Sequence, residues 1–205
     1  MRVDRPPPSE ELNEGQVSDA RPAASLILLR ESPEGPEVLL VQRNPEQRFM
    51  GGAWVFPGGA VHRDEPGPER TALRELEEEA GVRIDDAGAL VPFSRWITPV
   101  EVKVRFDTWF YAAQAPPDAE ARPDGSECVA ARWLRPEDAL GEYSRGELML
   151  VFPTIKHLEQ LAGAGSVEDL LDRARGRTVE PVLPRIVAGD QGAEVLLPGE
   201  PGYGD

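Results

Sequence analysis

The segment PERTALRELEEEAG, Pro68 to Gly81, constrains the fold more than any other stretch of the chain. Proline suits a first helical position and glycine the residue just past the end, so the spacing predicts a helix over Pro68–Ala80. At about 100° per residue, Leu73, Leu76 and Ala80 share one side, which needs an apolar surface to lie on. Glu75, Glu78 and Glu79 share roughly the opposite side, and Glu77 falls off that cluster into solvent. Like charges three and four residues apart repel by roughly 0.2–0.5 kcal/mol per pair. Carboxylates in the last turn also oppose the helix macrodipole. Arg74 reaches Glu78 at i+4 and offsets only part of this. A merely solvated face would mix signs. A divalent cation resolves the conflict, because Mg²⁺ and Mn²⁺ take carboxylate, water and phosphate oxygens. Three carboxylates on one helical side then form half a cage, with positions left open for water and a substrate phosphate.

The rest of the chain supplies the surface for that helix. Its 205 residues, 40% hydrophobic content and four tryptophans suit one globular domain with extensions. A net charge of −15 opposes binding to nucleic acid or to an anionic membrane. It also opposes phosphorylated substrates unless a cation intervenes. The single cysteine, Cys128, rules out an internal disulfide and reads as a small buried hydrophobe. No apolar run is long enough to span a membrane, and the first residues hold no signal-peptide core. A cytoplasmic enzyme is expected.

Residues 1–22, rich in Pro and Glu, read as a flexible arm. Ala24–Leu29 and Val38–Arg43 are strands split by a turn, and 44–67 reads as a long loop. Further strands are predicted over Ala89–Ile97, Arg105–Ala113 and Glu127–Leu134. A short helix should start near Pro136. A longer one covers about Glu147–Leu161, where Pro153 demands a kink or a start. Val167–Arg175 is a further helix, and Val182–Val187 with Ala193–Leu197 form a hairpin around GDQG. The pattern is that of an α/β layered sandwich. The central domain spans 23–162. The extension 163–205 packs on that domain or reaches a second subunit, and a homodimer is compatible with its apolar content.

The stretch WVFPGGAVHRDEPGPERTALRELEEEAGV resembles a Nudix box, G-x5-E-x7-R-E-U-x-E-E-x-G-U with U apolar. Gly59, Glu65, Arg74, Glu75, Leu76, Glu78, Glu79, Gly81 and Val82 match it. One residue too many separates Glu65 from Arg74, which leaves Glu65 open between a loop-fixing and a metal role. The resemblance covers about residues 22–162, including RWL-x-P-x-x-AL at Arg132–Leu140. It implies a Nudix α/β/α sandwich with a mixed sheet and a loop–helix–loop. It also implies hydrolysis of a nucleoside diphosphate derivative by water. On that resemblance Glu75, Glu78 and Glu79 hold Mg²⁺ or Mn²⁺ and Arg74 belongs to the catalytic group; the resemblance alone does not name the general base, for which Glu79 and Glu127 are the two candidates.

The preceding loop, LLVQRNPEQRFMGGAWVFPGG, resembles the motif of coenzyme A-hydrolysing Nudix enzymes, L-L-T-x-R-[SA]-x3-R-x3-G-x3-F-P-G-G. Leu39, Leu40, Arg43, Arg48, Gly52, Phe56, Pro57, Gly58 and Gly59 match; Val41 and Asn44 depart from it. Arg43 and Arg48 either fork onto substrate phosphates or make salt bridges with Glu37 or Glu46. Trp96–Pro99, Arg105–Thr108 and LMLVFPTIKHLEQLA resemble the (acyl-)CoA diphosphatase branch. Trp96 or Phe106 either stacks on adenine or belongs to the core. His62 lies just after the glycines and either approaches the site or, as a lone histidine more often does, plays no part in it, while His157 reads as structural. The implied reaction converts CoA or acyl-CoA and water to 3′,5′-ADP and (acyl-)4′-phosphopantetheine. Two rivals stand: the same fold acting on ADP-ribose, NADH or a dinucleoside polyphosphate, and a non-catalytic nucleotide-binding module.

Overall fold

The computed structural model of the chain describes residues 12–13, 15–189 and 192–204. In chain order the strands are β1 (Arg21–Arg30), β2 (Glu37–Arg43), β3 (Trp54–Val55) and β4 (Gly58–Ala60), followed by helix α1 (Pro68–Ala80). Next come β5 (Val91–Ile97), β6 (Phe106–Gln114), β7 (Cys128–Leu134), α2 (Pro136–Ser144), α3 (Phe152–Leu161) and α4 (Val167–Arg175). The tail adds β8 (Pro181–Val182), β9 (Arg185–Gly189) and β10 (Gly192–Leu196).

Strand β1, RPAASLILLR, is an almost unbroken apolar run, which suits a strand covered on both faces. It lies at the centre of the main sheet, in the order β3-β2-β1-β6-β5-β8, with β4 also on β1 and β7 also on β2. Its pairing with β6 is parallel and that with β2 and β4 antiparallel, so the sheet is mixed. Alternate residues of β1 divide two cores. Ala24, Leu26 and Leu28 pack with Leu73, Leu76 and Ala80 of α1. Ile27 and Leu29 pack with Ile155 and Leu158 of α3 and with Leu170 and Leu171 of α4. The result is an α/β/α sandwich.

One edge of β1 is shared. Its C-terminal end, Leu29 and Arg30, pairs with β2, while Ala23–Ser25 pair with Gly58–Ala60 of β4. A Cβ on Gly58 would lie 2.6 Å from the Ala24 carbonyl and 2.7 Å from the Ser25 Cβ, so only glycine fits that approach. This seating carries the following loop onto the end of α1.

Several expectations are revised. The stretch 44–67 is no open loop: it contains β3 and β4, and residues 44–52 close at their neck through Gly52 N–H to the Arg43 carbonyl (3.0 Å). Helix α3 begins at Phe152 with Pro153 in its first turn, so the chain starts a helix there rather than kinking one. β5 begins at Val91, after a 3₁₀ turn at Ala87–Ala89. Of the segment read as a flexible arm, the described part lies along the β5–β6 connection. Asn13 N–H donates to the Glu101 carbonyl (2.8 Å) and Ser18 Oγ to the Lys103 carbonyl (2.7 Å), while the Arg105 guanidinium donates to the Ser18 carbonyl (2.7 Å). Residues 1–11 of that arm lie outside the described residues.

The tail separates into two parts. Val167, Leu170, Leu171 and Ala174 of α4 belong to the α3-side core, and β8 adds a parallel strand beside β5. β9 and β10 pair antiparallel as a separate hairpin, with Arg185 opposite Leu196, but the predicted first strand over Val182–Val187 is split, Val182 joining β8 and the hairpin strand starting at Arg185. Among the described residues no helix is long and apolar enough to cross a membrane.

Candidate active site

Helix α1 ends as its sequence requires. Gly81 adopts the left-handed conformation (φ 65°) and donates to the Glu77 carbonyl, and the Arg122 N–H caps the Ala80 carbonyl at 2.7 Å. The acidic side of the helix does not stay uniformly in solvent. Glu75 is 7% and Glu79 2% exposed, both under the β4 edge, while Glu77 and Glu78 are exposed. Gly59 makes this possible, since a Cβ there would lie 2.1 Å from Glu75 Oε1.

Glu79 is held from several directions. Its Oε2 accepts the Gly58 N–H at 2.9 Å, the buried Cys128 thiol lies close enough to its carboxylate to interact with it, and an Arg43 Nη1 stands 4.0 Å from Oε1. Burial dominates and pushes its pKa up to about 7; the Gly58 N–H and Arg43 pull against burial, and the Glu75 charge adds to it. Burial also raises Glu75, opposed by Arg74 and reinforced by the charges of Glu78 and Glu127. Burial likewise pushes the Cys128 thiol up, with Glu79 adding to the effect.

Arg74 gathers the remaining carboxylates. It meets Glu65 at 2.8 Å, Glu75 at 2.9 Å and Glu78 at 2.6 Å, and it reaches the Ala60 carbonyl at 3.3 Å. Glu65 also accepts from the His62 N–H (2.7 Å) and the Thr71 hydroxyl (2.8 Å). Burial of Glu65 would raise its pKa, but these bonds, Arg74 foremost, bring it down to about 2. Its carboxylate therefore fixes the loop between β4 and α1. The His62 side chain is exposed and only its backbone N–H takes part.

Arg43 and Arg48 differ in environment. Arg43 donates to the Phe49 carbonyl (3.2 Å) and to the Gln47 side chain, and it faces Glu79. Arg48 is exposed and makes no ion pair among the described residues. Neither pairs with Glu37, which meets Arg30 at 2.6 Å, or with Glu46. Phe106 is half-buried, 6.0 Å from the Phe49 ring and under the Arg21 guanidinium. Trp96 is a correction. At 6% exposure it packs edge-on against Phe152 and His157 in the α3-side core, out of reach of a ligand base. His157 is fully buried there, with Nε2 2.6 Å from Ser94 Oγ.

Glu127 is exposed, directly before β7, and close enough to raise Glu75. The turn that presents it is built by Asp124, whose carboxylate accepts the N–H groups of Ser126, Glu127 and Cys128 at 2.8–2.9 Å. Sequence reasoning missed the parts played by Asp124 and Cys128. The D-G-S run is a readable signal for the first; no local signal announces the second.

Residues 19–150 match the family described as NUDIX domain, and the chain belongs to that family. Human acyl-coenzyme A diphosphatase NUDT19 is 32% identical over 123 residues, covering 58% of this chain and 33% of that protein. Putative nudix hydrolase 7 of Caenorhabditis elegans is 26% identical over 83% of this chain and 70% of its own length. This chain thus spans about a third of the human relative. Among solved structures, a NUDIX hydrolase from Alicyclobacillus acidocaldarius superposes with a TM-score of 0.70 at 28% identity, over 80% of this chain and 99% of that one. Nudix hydrolases generally use divalent metal ions.

The residues present suit such an ion. Glu75 and Glu79 are two desolvated carboxylates whose charges oppose each other, served mainly by Arg74 and a distant Arg43. An added cation would satisfy both. No group of three or more His, Cys, Asp or Glu side chains among the described residues is already gathered for a metal, and Glu78 is turned to Arg74.

Proposed function

We propose that this chain is a metal-dependent diphosphohydrolase that cleaves coenzyme A or acyl-CoA to 3′,5′-ADP and (acyl-)4′-phosphopantetheine. One observation carries the reading. The 44–52 loop closes on Arg43, whose guanidinium holds the loop and faces buried Glu79, and Arg48 of that loop is exposed with no ion pair among the described residues. In so acidic a chain, that free guanidinium suits a second phosphate outside the diphosphate. The likeness to human acyl-coenzyme A diphosphatase supports the same substrate class.

Glu75, Glu78 and Glu79 would hold Mg²⁺ or Mn²⁺. When bound, the ion would neutralise diphosphate charge and acidify a water. Glu127 is the better general base of the two candidates. Its carboxylate is exposed at the site, whereas that of Glu79 is buried and held by the Gly58 N–H. A proton from the attacking water passes to Glu127 as the P–O–P bridge breaks, and the bridging oxygen leaves with the other phosphate. Arg74 positions Glu75 and Glu78, Arg43 positions the loop, Gly58 and Gly59 let the substrate-binding edge approach the helix, and Phe106 offers a ring for adenine.

Arg48→Ala tests the substrate assignment. Losing one charge-assisted phosphate contact should cut kcat/KM for CoA about ten- to a hundredfold. Dephospho-CoA, which lacks the 3′-phosphate, should lose little. Equal losses on both would refute 3′-phosphate reading by Arg48.

A further inference from the structure

We infer that Asn44 is a positioning residue: a clasp that locks the Glu127-bearing turn to the loop carrying Arg48. The inference rests on the proposed role of Glu127 as the proton acceptor.

Asn44 grips both peptide carbonyls that flank the Glu127 Cα. Its backbone N–H donates to the Glu127 carbonyl at 2.8 Å and its Nδ2 to the Ser126 carbonyl at 2.9 Å. From the other side, Asn44 shapes its own loop. Oδ1 accepts the Glu46 N–H at 3.0 Å and the Asn44 carbonyl accepts the Gln47 N–H at 3.0 Å, directly before Arg48. One side chain therefore donates across to the base-bearing turn and accepts within the recognition loop. Only an amide of this length does both. This explains a residue that departs from the Ser or Ala of the motif it otherwise resembles. Serine would keep an acceptor for Glu46 but lack the reach to Ser126, and alanine would keep neither.

The turn on the far side is stiff enough to make the clasp effective. Asp124 binds three successive N–H groups of that turn, and Gly125 donates back to the Cys128 carbonyl at 2.8 Å in a left-handed conformation (φ 79°). With the turn internally rigid, its remaining freedom is to swing as a unit, and Asn44 removes that freedom. A substrate held by the Arg48 loop then meets Glu127 at a fixed offset. A carboxylate displaced by about 1 Å can lose of order a hundredfold in rate, so a modest loosening is measurable.

The test is a double-mutant cycle of Asn44→Ser and Glu127→Gln. It is run with Mg²⁺ on whichever of CoA, acetyl-CoA, ADP-ribose or NADH the wild-type enzyme turns over fastest. Asn44→Ser should lower kcat about tenfold, as expected for one hydrogen bond lost in the transition state, with KM changed less than about twofold. Glu127→Gln should lower kcat further, and the double variant should be no slower than Glu127→Gln alone. Asn44→Asp keeps the Glu46 bond but faces Ser126 with an acceptor, so it should reproduce the serine loss if Asn44→Ser proves unstable on melting. Losses that multiply in the double variant would overturn the clasp while leaving Glu127 as the base. A Glu127→Gln enzyme of near-normal rate would overturn the base assignment, and the clasp with it.

Discussion

Gly59→Ala isolates the approach of the loop to the helix. Its φ lies outside the left-handed region, so alanine meets no backbone strain. The added Cβ, however, would stand 2.1 Å from Glu75 Oε1 and 2.6 Å from its Cδ, where ordinary contact begins at 3.4 Å. The obstacle is the end of a side chain, so the carboxylate must retreat by about 1.3 Å while the sheet stays in place. Retreat also strains the 2.9 Å ion pair to Arg74. A misplacement of about 1 Å in a catalytic group costs of order a hundredfold in rate, equivalent to about 2.7 kcal/mol of transition-state stabilisation. The melting temperature should move by only a few degrees. Gly58→Ala gives the contrast. Its Cβ strikes the Ala24 carbonyl and Ser25 backbone atoms that cannot swing away, so it should cost roughly 1–3 kcal/mol of stability. Steady-state kinetics and thermal melts on both variants decide the matter. A folded Gly59→Ala enzyme with kcat within threefold of wild type would refute the placement of Glu75.

Two further outcomes follow from buried and paired charges. Burial holds His157 neutral, with its pKa lowered to about 3, so below pH 6.5 the unfolded chain binds a proton that the folded chain refuses. Stability is therefore undiminished above pH 6.5 and falls by about 1.4 kcal/mol per pH unit towards pH 3. Denaturant titrations should show that slope reduced by one proton in His157→Gln, and equal slopes would refute it. Glu65→Gln should cost about 1 kcal/mol, as charge-assisted bonds to Arg74 become neutral ones, while turnover persists. Loss of turnover by orders of magnitude would instead make Glu65 a metal ligand.

The helix was readable to its ends because Pro68 and Gly81 each satisfy a specific backbone requirement at its termini. Its apolar stripe, Leu73, Leu76 and Ala80, also lies where the period places it. Depth was not readable. A helical wheel fixes the angle of Glu75 and Glu79, but their burial depends on how closely a two-glycine strand lets the sheet approach. β3 and β4 escaped because strands of two and three residues carry no period. Trp96 was ambiguous because alternation in a strand leaves open which face meets solvent, and here both faces of β5 carry packed helices or ion pairs. The partners of Arg43 come from a loop closing back on its own neck, which residue types alone do not fix.

The most direct measurement is hydrolysis of CoA, acetyl-CoA, ADP-ribose and NADH, each with Mg²⁺, with Mn²⁺ and with chelator, products being identified by mass. A metal-dependent CoA diphosphatase should give 3′,5′-ADP from the CoA species, slow turnover of the others, and no product in chelator. Preference for ADP-ribose or NADH, or turnover that survives chelation, would contradict that assignment.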